Sequence, residues 1–333
     1  MLIIPPITIA LSVYNVAMYV RQALDSLLMQ TFKDFELLCI DDCSTDGTWE
    51  ILAEYAQHDN RIRLLRQEKN QGLSVSRNRA IAEAKGEYLL MLDGDDLFAP
   101  DMVEKAYNKA KETDADMVIW DYVSFVCEKE IAEKCTKPSV LSNLQVKDKV
   151  GLLRRPAFSP SRMTKVSVLR NLHVHFPEGL TKQDIPVHWK LITSLDKIVL
   201  IPEFFLFYRQ QPGNTSSRKD RSVFALAYVM DITRSYLKEN GLYGTYKNEF
   251  LRSRLNLLQG MYDFIKPEYK AEAMKLIMER LDDDAKTYIF SNNCECESRT
   301  RLFFKGYFWD KPLEKAKYDA LMLIRSIYRW IKQ

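Results

Sequence analysis

The chain places three carboxylates within four positions, Asp93-Gly94-Asp95-Asp96, directly after the apolar run Tyr88-Leu89-Leu90-Met91-Leu92. Carboxylates crowded this closely repel one another, and a bound hard divalent cation relieves the repulsion. Mg²⁺ and Mn²⁺ take one or two protein carboxylates and complete their shells with water and phosphate oxygens. The cluster therefore points to a protein that handles a phosphorylated ligand through Mn²⁺ or Mg²⁺. A solvated acidic turn is the competing reading, because Gly and Asp also build ordinary turns. A second acidic pair, Asp41-Asp42, ends the apolar run Phe35-Glu36-Leu37-Leu38-Cys39-Ile40 in the same manner.

The elements that must carry these residues can be read from periodicity. Ile7 to Val13 reads as a buried strand, and Val20, Leu24, Leu27 and Leu28 then share one helical face. Phe35 to Ile40 is a second strand. Ser44-Thr45-Asp46-Gly47 is rich in capping residues and opens a helix carrying Ile51, Leu52 and Tyr55. Ile62 to Leu65 is a third strand, Asn70-Gln71-Gly72-Leu73-Ser74 a turn into a helix with Ala80, Ile81 and Ala84, and Tyr88 to Leu92 a fourth strand. Met117 to Trp120 reads as a fifth. This alternation predicts an α/β fold with a mostly parallel sheet flanked by helices. Ligands of such sheets bind at the carboxyl ends of the strands, so topology alone brings Asp41-Asp42 and Asp93 to Asp96 to one edge.

Beyond Phe125 the pattern is less regular. Pro156 to Pro160 reads as a loop, Phe176 to Leu180 as a turn, His173-Val174-His175 as strand-like alternation, Val187 to Leu195 as a helix and Ile198 to Ile201 as a short strand. The polar stretch Arg209 to Asp220 reads as a mobile loop. From Ser222 onward the pattern is helical. Met261, Tyr262 and Phe264 read as helix core there.

With 333 residues, 47% hydrophobic and 28% charged, the composition is that of a globular protein with a substantial core. A formal charge of +3 gives no general case for nucleic acid as a partner. The six cysteines lack a paired framework and fit reduced thiols in a cytoplasmic compartment. Cys294-Glu295-Cys296 offers too few ligands for zinc. The apolar N-terminus has no basic segment before it and is interrupted by Pro5-Pro6, unlike a signal peptide. No apolar stretch reaches the ~20 residues of a membrane span.

An ordered set of motifs resembles glycosyltransferase family 2, the inverting enzymes of GT-A fold. They are Ser12-Val13-Tyr14-Asn15, Leu24-Asp25-Ser26-Leu27, Gln30-Thr31, Asp41-Asp42-Cys43-Ser44-Thr45-Asp46-Gly47-Thr48, Asn70 to Ser74, Ser76-Arg77-Asn78, Gly86-Glu87-Tyr88 and Leu92-Asp93-Gly94-Asp95-Asp96. The resemblance covers roughly the first 210 residues. It implies a Rossmann-like GT-A catalytic domain over residues 1–215 and a helical C-terminal extension over 216–333.

The resemblance also implies roles. Ser12 and Tyr14 line the nucleotide pocket, and Asp41 and Asp42 read the base. Asp42 would accept the N3–H of uracil, a proton that cytosine lacks. Arg77 faces the nucleotide end of the donor. Asp93, with Gly94, contacts the ribose region, Asp95 holds the metal on the diphosphate, and Asp96 supports them. The catalytic base is Asp184, in Gly179-Leu180-Thr181-Lys182-Gln183-Asp184-Ile185, where Gln183 replaces the usual Glu. A helix cap is the other reading of Asp184.

The implied reaction moves a sugar from a nucleotide-diphospho-sugar, a UDP-sugar by family habit, to a hydroxyl of a saccharide or lipid-linked saccharide. It proceeds by one in-line displacement without a covalent enzyme intermediate. Arg209 is a candidate to close over the phosphates, and His188 to line the acceptor pocket. The C-terminal segment places Leu321, Ile324, Tyr328 and Ile331 on one helical face beside Lys315, Lys317, Arg325, Arg329 and Lys332. That pattern suits either peripheral contact with an anionic membrane or packing on the catalytic domain. Two other classes stay open: a non-catalytic sugar-nucleotide-binding scaffold, with Gln183 as a trace of decay, and a nucleotidyltransferase.

Overall fold

The computed structural model describes residues 5–211, 217–309 and 311–331, with the last helix described beyond residue 325 by its backbone alone. The chain divides into two compact units, Met1–Asn214 and Thr215–Gln333.

The first unit is built on strands β1 (Ile7–Val13), β2 (Phe35–Asp41), β3 (Ile62–Arg66), β4 (Tyr88–Asp93), β5 (Leu97–Phe98), β6 (Met117–Phe125), β7 (Arg162–Lys165) and β8 (Ile198–Arg209). Its helices are α1 (Val20–Leu28), α2 (Thr48–His58), α3 (Leu73–Glu83), α4 (Met102–Thr113), α5 (Lys129–Lys134), α6 (Lys149–Leu153), α7 (Val166–Asn171) and α8 (Asp184–Ser194). The sheet runs β3-β2-β1-β4-β7-β6-β8-β5. β1 is parallel to β2 and β4, β2 to β3, and β6 to β8, while β7 runs against β4 and β6 and β5 against β8.

β1 and β2 are buried at every position, as expected of central parallel strands covered on both faces. On one face Ile9, Leu11, Leu37, Leu90 and Leu92 pack with Val20, Leu24 and Leu27 of α1 and Met102, Val103 and Ala106 of α4. α3 packs against β1, β2 and β4 as well. The strand order turns back between β1 and β4, and register sets Ser12 beside both Ile40 and Asp93, with Val13 beside Asp41. The two acidic turns thus leave the sheet at one level, at the switch point where such folds bind ligands.

Gly86 shows how closely the chain is threaded there. A Cβ on it would lie 2.4 Å from the backbone nitrogen of Thr8, inside the central strand, so the segment before β4 admits no side chain.

Several expectations need correction. β5 and β7 carry too few apolar residues to give a periodic signal. Pro202 masks the full length of β8, whose pairing with β6 shifts register on either side of Asp121 and so accommodates the interruption as a bulge. His173-Val174-His175 is not a strand. It follows α7, with His173 in the left-handed region at φ 47°.

The second unit comprises helices α9 (Ala225–Glu239), α10 (Tyr243–Phe264), α11 (Lys270–Met278), α12 (Asp283–Phe290), α13 (Ser298–Tyr307) and α14 (Pro312–Ile331). Met261 is buried and Tyr262 stacks on Phe303 at 5.0 Å, whereas Phe264 is exposed and leaves the expected core. α14 rests on α13 through buried Tyr318, whose hydroxyl donates to Asp263, and through Lys315 against Gly306. Leu313, Leu323 and Ile324 remain exposed, at 67%, 62% and 63%. Leu321 is half-buried, and the side chains of Tyr328, Arg329, Ile331 and Lys332 lie outside the described residues. Among the described residues no helix is long and apolar enough to cross a membrane.

Candidate active site

The site grows from the ends of β1, β2 and β4. The Ser12 carbonyl accepts the Gly94 N–H at 3.0 Å. Any Cβ on Gly94 would lie 2.5 Å from Val13 Cγ1, so only glycine allows the acidic turn to approach β1 this closely. Tyr14 stands just past β1, 46% exposed. The following loop is fastened to the β2–α2 loop. Asn15 N–H donates to Ser44 Oγ, Val16 N–H to Thr48 Oγ1 and Ala17 N–H to Asp46 Oδ2, each at 3.0 Å, and Asn15 Oδ1 accepts from Thr45 N–H at 2.8 Å.

Asp41 and Asp42 are both buried. Asp41 accepts from Ser44 N–H at 3.1 Å and pairs with Arg66 at 3.1 Å. Asp42 sits at the N-terminus of α3, where it accepts from Gln71 N–H at 2.8 Å, Gly72 N–H at 2.7 Å and Gln67 Nε2 at 2.7 Å. Burial pushes the Asp42 carboxyl above the ordinary range, against the pull of those helix-terminal amides.

Arg77, one turn into α3 and 1% exposed, joins the two halves of the site. Nη2 donates to Asp93 at 3.1 and 3.2 Å, and Nη1 to both oxygens of Asp184 at 2.8 Å. Burial opposes the guanidinium charge, but Asp184 and Asp93 outweigh it and raise its proton affinity. Asp93 is pushed up to about 6 by burial, with Asp95 and Asp184 adding to the effect and Arg77 resisting it.

Asp184 is the first residue of α8, yet it does not cap that helix. Its oxygens go to Arg77 and to Ser159, whose N–H lies 3.2 Å from Oδ1 and whose hydroxyl also donates to Oδ1. Burial would raise the Asp184 carboxyl, and Arg77, Ser159 and Arg162 together reverse that and hold it below the usual carboxylate range. Gln183 is buried beside it, and Lys182 adopts φ 60°.

Asp95 is pushed up by burial, and its Oδ2 accepts from Gln211 Nε2 at 2.8 Å. Asp96 is fully buried. One oxygen accepts the Arg209 N–H at 2.9 Å and the other has no partner among the described residues, while burial, Asp95 and Asp93 raise its carboxyl well above the ordinary range. Arg209 is not the mobile cation that the polar sequence around it suggests. It ends β8, donates from Nε to the Asp95 carbonyl at 2.8 Å, and stacks on Phe125 at 4.7 Å and Tyr19 at 5.1 Å. It is a fixed strut under the acidic turn.

His188 lies in the interior rather than on a pocket wall. Its Nε2 is 3.1 Å from the Leu152 carbonyl, which can only accept, so Nε2 carries the hydrogen. Burial pushes its pKa down to about 3.

Ser159 and Arg162 escaped the sequence reading. Ser159 lies in a proline-flanked stretch with no periodicity, and Arg162 opens the four-residue β7. Arg162 is 4% exposed, its Nη1 lacks a hydrogen-bond partner among the described residues, and burial lowers its pKa to about 10.

The donor set suits Mn²⁺ or Mg²⁺. Asp95 offers a hard oxygen in a turn whose carboxyls are all raised by burial, with repulsion from neighbouring carboxylates adding to the effect at Asp93 and Asp96, and a cation would relieve both. Among the described residues no three His, Cys, Asp or Glu side chains form a metal cage. An ion held on Asp95 would therefore complete its shell with water and phosphate oxygens.

This arrangement can be set beside known proteins. A family model described as glycosyl transferase family 2 matches residues 8–172. The glycosyltransferase GlyG of Streptococcus pneumoniae is 27% identical over 70% of this chain and 79% of its own length. An uncharacterized glycosyltransferase of Methanocaldococcus jannaschii is 31% identical over 62% of this chain and 71% of its own. Among solved structures, residues 1–349 of S. aureus TarS in complex with UDP-GlcNAc superpose with a TM-score of 0.69 at 19% identity, covering 97% of this chain and 91% of that one. The last likeness shows the GT-A fold. With the family model spanning both acidic turns and a relative matched over most of its length, the chain belongs to glycosyl transferase family 2 and is a glycosyltransferase.

Proposed function

We propose that this glycosyltransferase moves a sugar, with inversion, from a nucleotide-diphospho-sugar to a hydroxyl of a saccharide or lipid-linked saccharide in polysaccharide biosynthesis. The donor is a UDP-sugar in this reading. The observation that carries it is the Arg77 bridge, which sets the donor-side turn at Asp93 and the carboxylate of Asp184 on either side of one guanidinium.

Ser12, Tyr14, Asp41 and Asp42 would bound the nucleotide, and Asp93 and Gly94 the ribose. Asp95 would hold Mn²⁺ or Mg²⁺, which when bound supplies Lewis-acid stabilisation of the diphosphate leaving group. Asp184, kept ionised by Arg77 and Ser159, would accept the acceptor hydroxyl proton as its oxygen bonds to the anomeric carbon and the bond to phosphate breaks. Such ready ionisation favours catalysis over the scaffold reading, despite Gln183.

The test is nucleoside-diphosphate release from UDP-glucose, UDP-galactose, UDP-GlcNAc and GDP-mannose, with Mn²⁺ or with chelator, with and without candidate saccharide acceptors. Release from one donor should fall about 100-fold or more in Asp95→Asn or with chelator. Donor binding without release, acceptors included, would favour the scaffold, and pyrophosphate release would make the protein a nucleotidyltransferase.

The same reading includes peripheral contact of α14 with an anionic membrane, supported by exposed Leu313, Leu323 and Ile324 on a helix that also carries Lys315, Lys317 and Arg325. Flotation with phosphatidylglycerol vesicles should recover the wild type and lose most of Leu323→Glu/Ile324→Glu. Equal recovery of both proteins would sink the idea.

A further inference from the structure

Asp184 has an uneven hydrogen-bond inventory. Oδ1 receives three donors: Arg77 Nη1 at 2.8 Å, Ser159 N–H at 3.2 Å and the Ser159 hydroxyl. Among the described residues Oδ2 receives only Arg77 Nη1, at 2.8 Å. A carboxylate oxygen has about two lone-pair sites, so Oδ1 is filled and Oδ2 keeps one open. The donors come from separate elements. Arg77 stands on α3, whereas Ser159 lies in the short 3-10 turn Ser159–Ser161 just before β7. Ser159 is 1% exposed, so water does not compete for its hydroxyl.

We propose that Ser159 is a positioning residue for the base, fixing the Asp184 carboxylate about its terminal torsion so that Oδ2 takes the proton from the acceptor hydroxyl. The idea rests on the reading of Asp184 as the base. Ser159 bonds Oδ1 and not Oδ2, the oxygen assigned to the proton. Its backbone and side chain together hold one oxygen, while Arg77 alone, reaching both, would let the group rock. A misplacement of that kind costs rate without changing which groups are present.

The charged and titratable groups facing Asp184 are Arg77 from α3, Asp93 from β4, Arg162 from β7, Lys182 from the preceding loop and His188 from its own helix. None of these is altered in Ser159→Ala. A change in Asp184 titration in that variant therefore reports the lost hydroxyl donor. A donor to the ionised form favours that form, so its removal raises the carboxyl's proton affinity.

The experiment uses the full chain labelled with ¹³C at the aspartate carboxyls, titrated by NMR without substrate, with the Asp184 signal identified by its absence in Asp184→Asn. The expected result is a midpoint shifted up by about half a unit or more in Ser159→Ala and restored in Ser159→Thr, which keeps the hydroxyl. In parallel, nucleoside-diphosphate release from whichever donor the enzyme hydrolyses should fall about tenfold or more in Ser159→Ala. The KM for donor should stay within about twofold, and the acid limb should move to higher pH. An unmoved midpoint overturns the proposal, as does a loss of rate that is equal at every pH and not rescued by Thr. If Asp184→Asn keeps full activity, the base assignment itself fails. If Asp184→Asn is inactive while Ser159→Ala matches wild type, only the role of Ser159 falls.

Discussion

Arg77→Met should cost about 3 kcal/mol of stability at pH 7.5, measured by urea unfolding with an unchanged m-value. The side chain is 2% exposed and compensates two carboxylates that are themselves 21% and 14% exposed. Removing one partner of a buried ionic group leaves the others desolvated without compensation, which is worse than removing the whole group. The residual exposure of Asp93 and Asp184 keeps the figure at the lower end of that class. Two consequences distinguish this account from simple loss of packing. First, adding Asp93→Asn and Asp184→Asn to Arg77→Met should restore part of the loss, because the two carboxylates are then neutral, while buried Arg162, which faces Asp184, keeps the recovery incomplete. Second, both aspartates in Arg77→Met are expected to have folded-state pKa values above the unfolded ones. The stability deficit should therefore be smallest at low pH and grow as pH rises through those values. A deficit independent of pH, and unrelieved by the two asparagines, would mean that Arg77 matters for its volume.

The second large effect concerns acid. His188 is buried as the neutral tautomer with its pKa pushed down to about 3, against roughly 6.5 in an unfolded chain. Below pH 6.5 the unfolded state binds a proton that the folded state refuses. The contribution is therefore complete above pH 6.5 and is lost as pH falls towards 3, with a total on the order of 5 kcal/mol. His188→Gln can still donate an amide hydrogen to the Leu152 carbonyl but does not titrate. We expect its stability to fall less steeply than wild type between pH 6.5 and 4, so that the two curves converge or cross. Chemical unfolding at four pH values would decide this. Parallel curves would show that the ring is protonated in the fold or reaches water.

Much of the site was legible because its chemistry sits where simple patterns end. Asp41-Asp42 and Asp93 to Asp96 each close an apolar run, and parallel topology was enough to place both at one edge. Asp184 came from motif resemblance, since nothing in its local spacing ties it to Arg77, which lies on a distant helix. What stayed hidden arises from contacts across the sheet. Ser159 and Arg162 acquire their roles from β7, a four-residue strand with one strongly apolar residue, Met163. Arg209 was misread for the converse reason. Its neighbours in sequence are polar, but its neighbours in space are Phe125, Tyr19 and the backbone of Asp95.

The fastened loops after β1 and β2 bear on how the proposed donor would be received. Hydrogen bonds from Asn15, Val16 and Ala17 to Ser44, Thr48 and Asp46, and back from Thr45 to Asn15, join the two segments that flank Tyr14 and Asp42. The conformational entropy of these segments is surrendered when the chain folds, not when a nucleotide arrives. Interaction energy gained at that end, in the proposed reaction, would then be free to appear as affinity for the nucleotide.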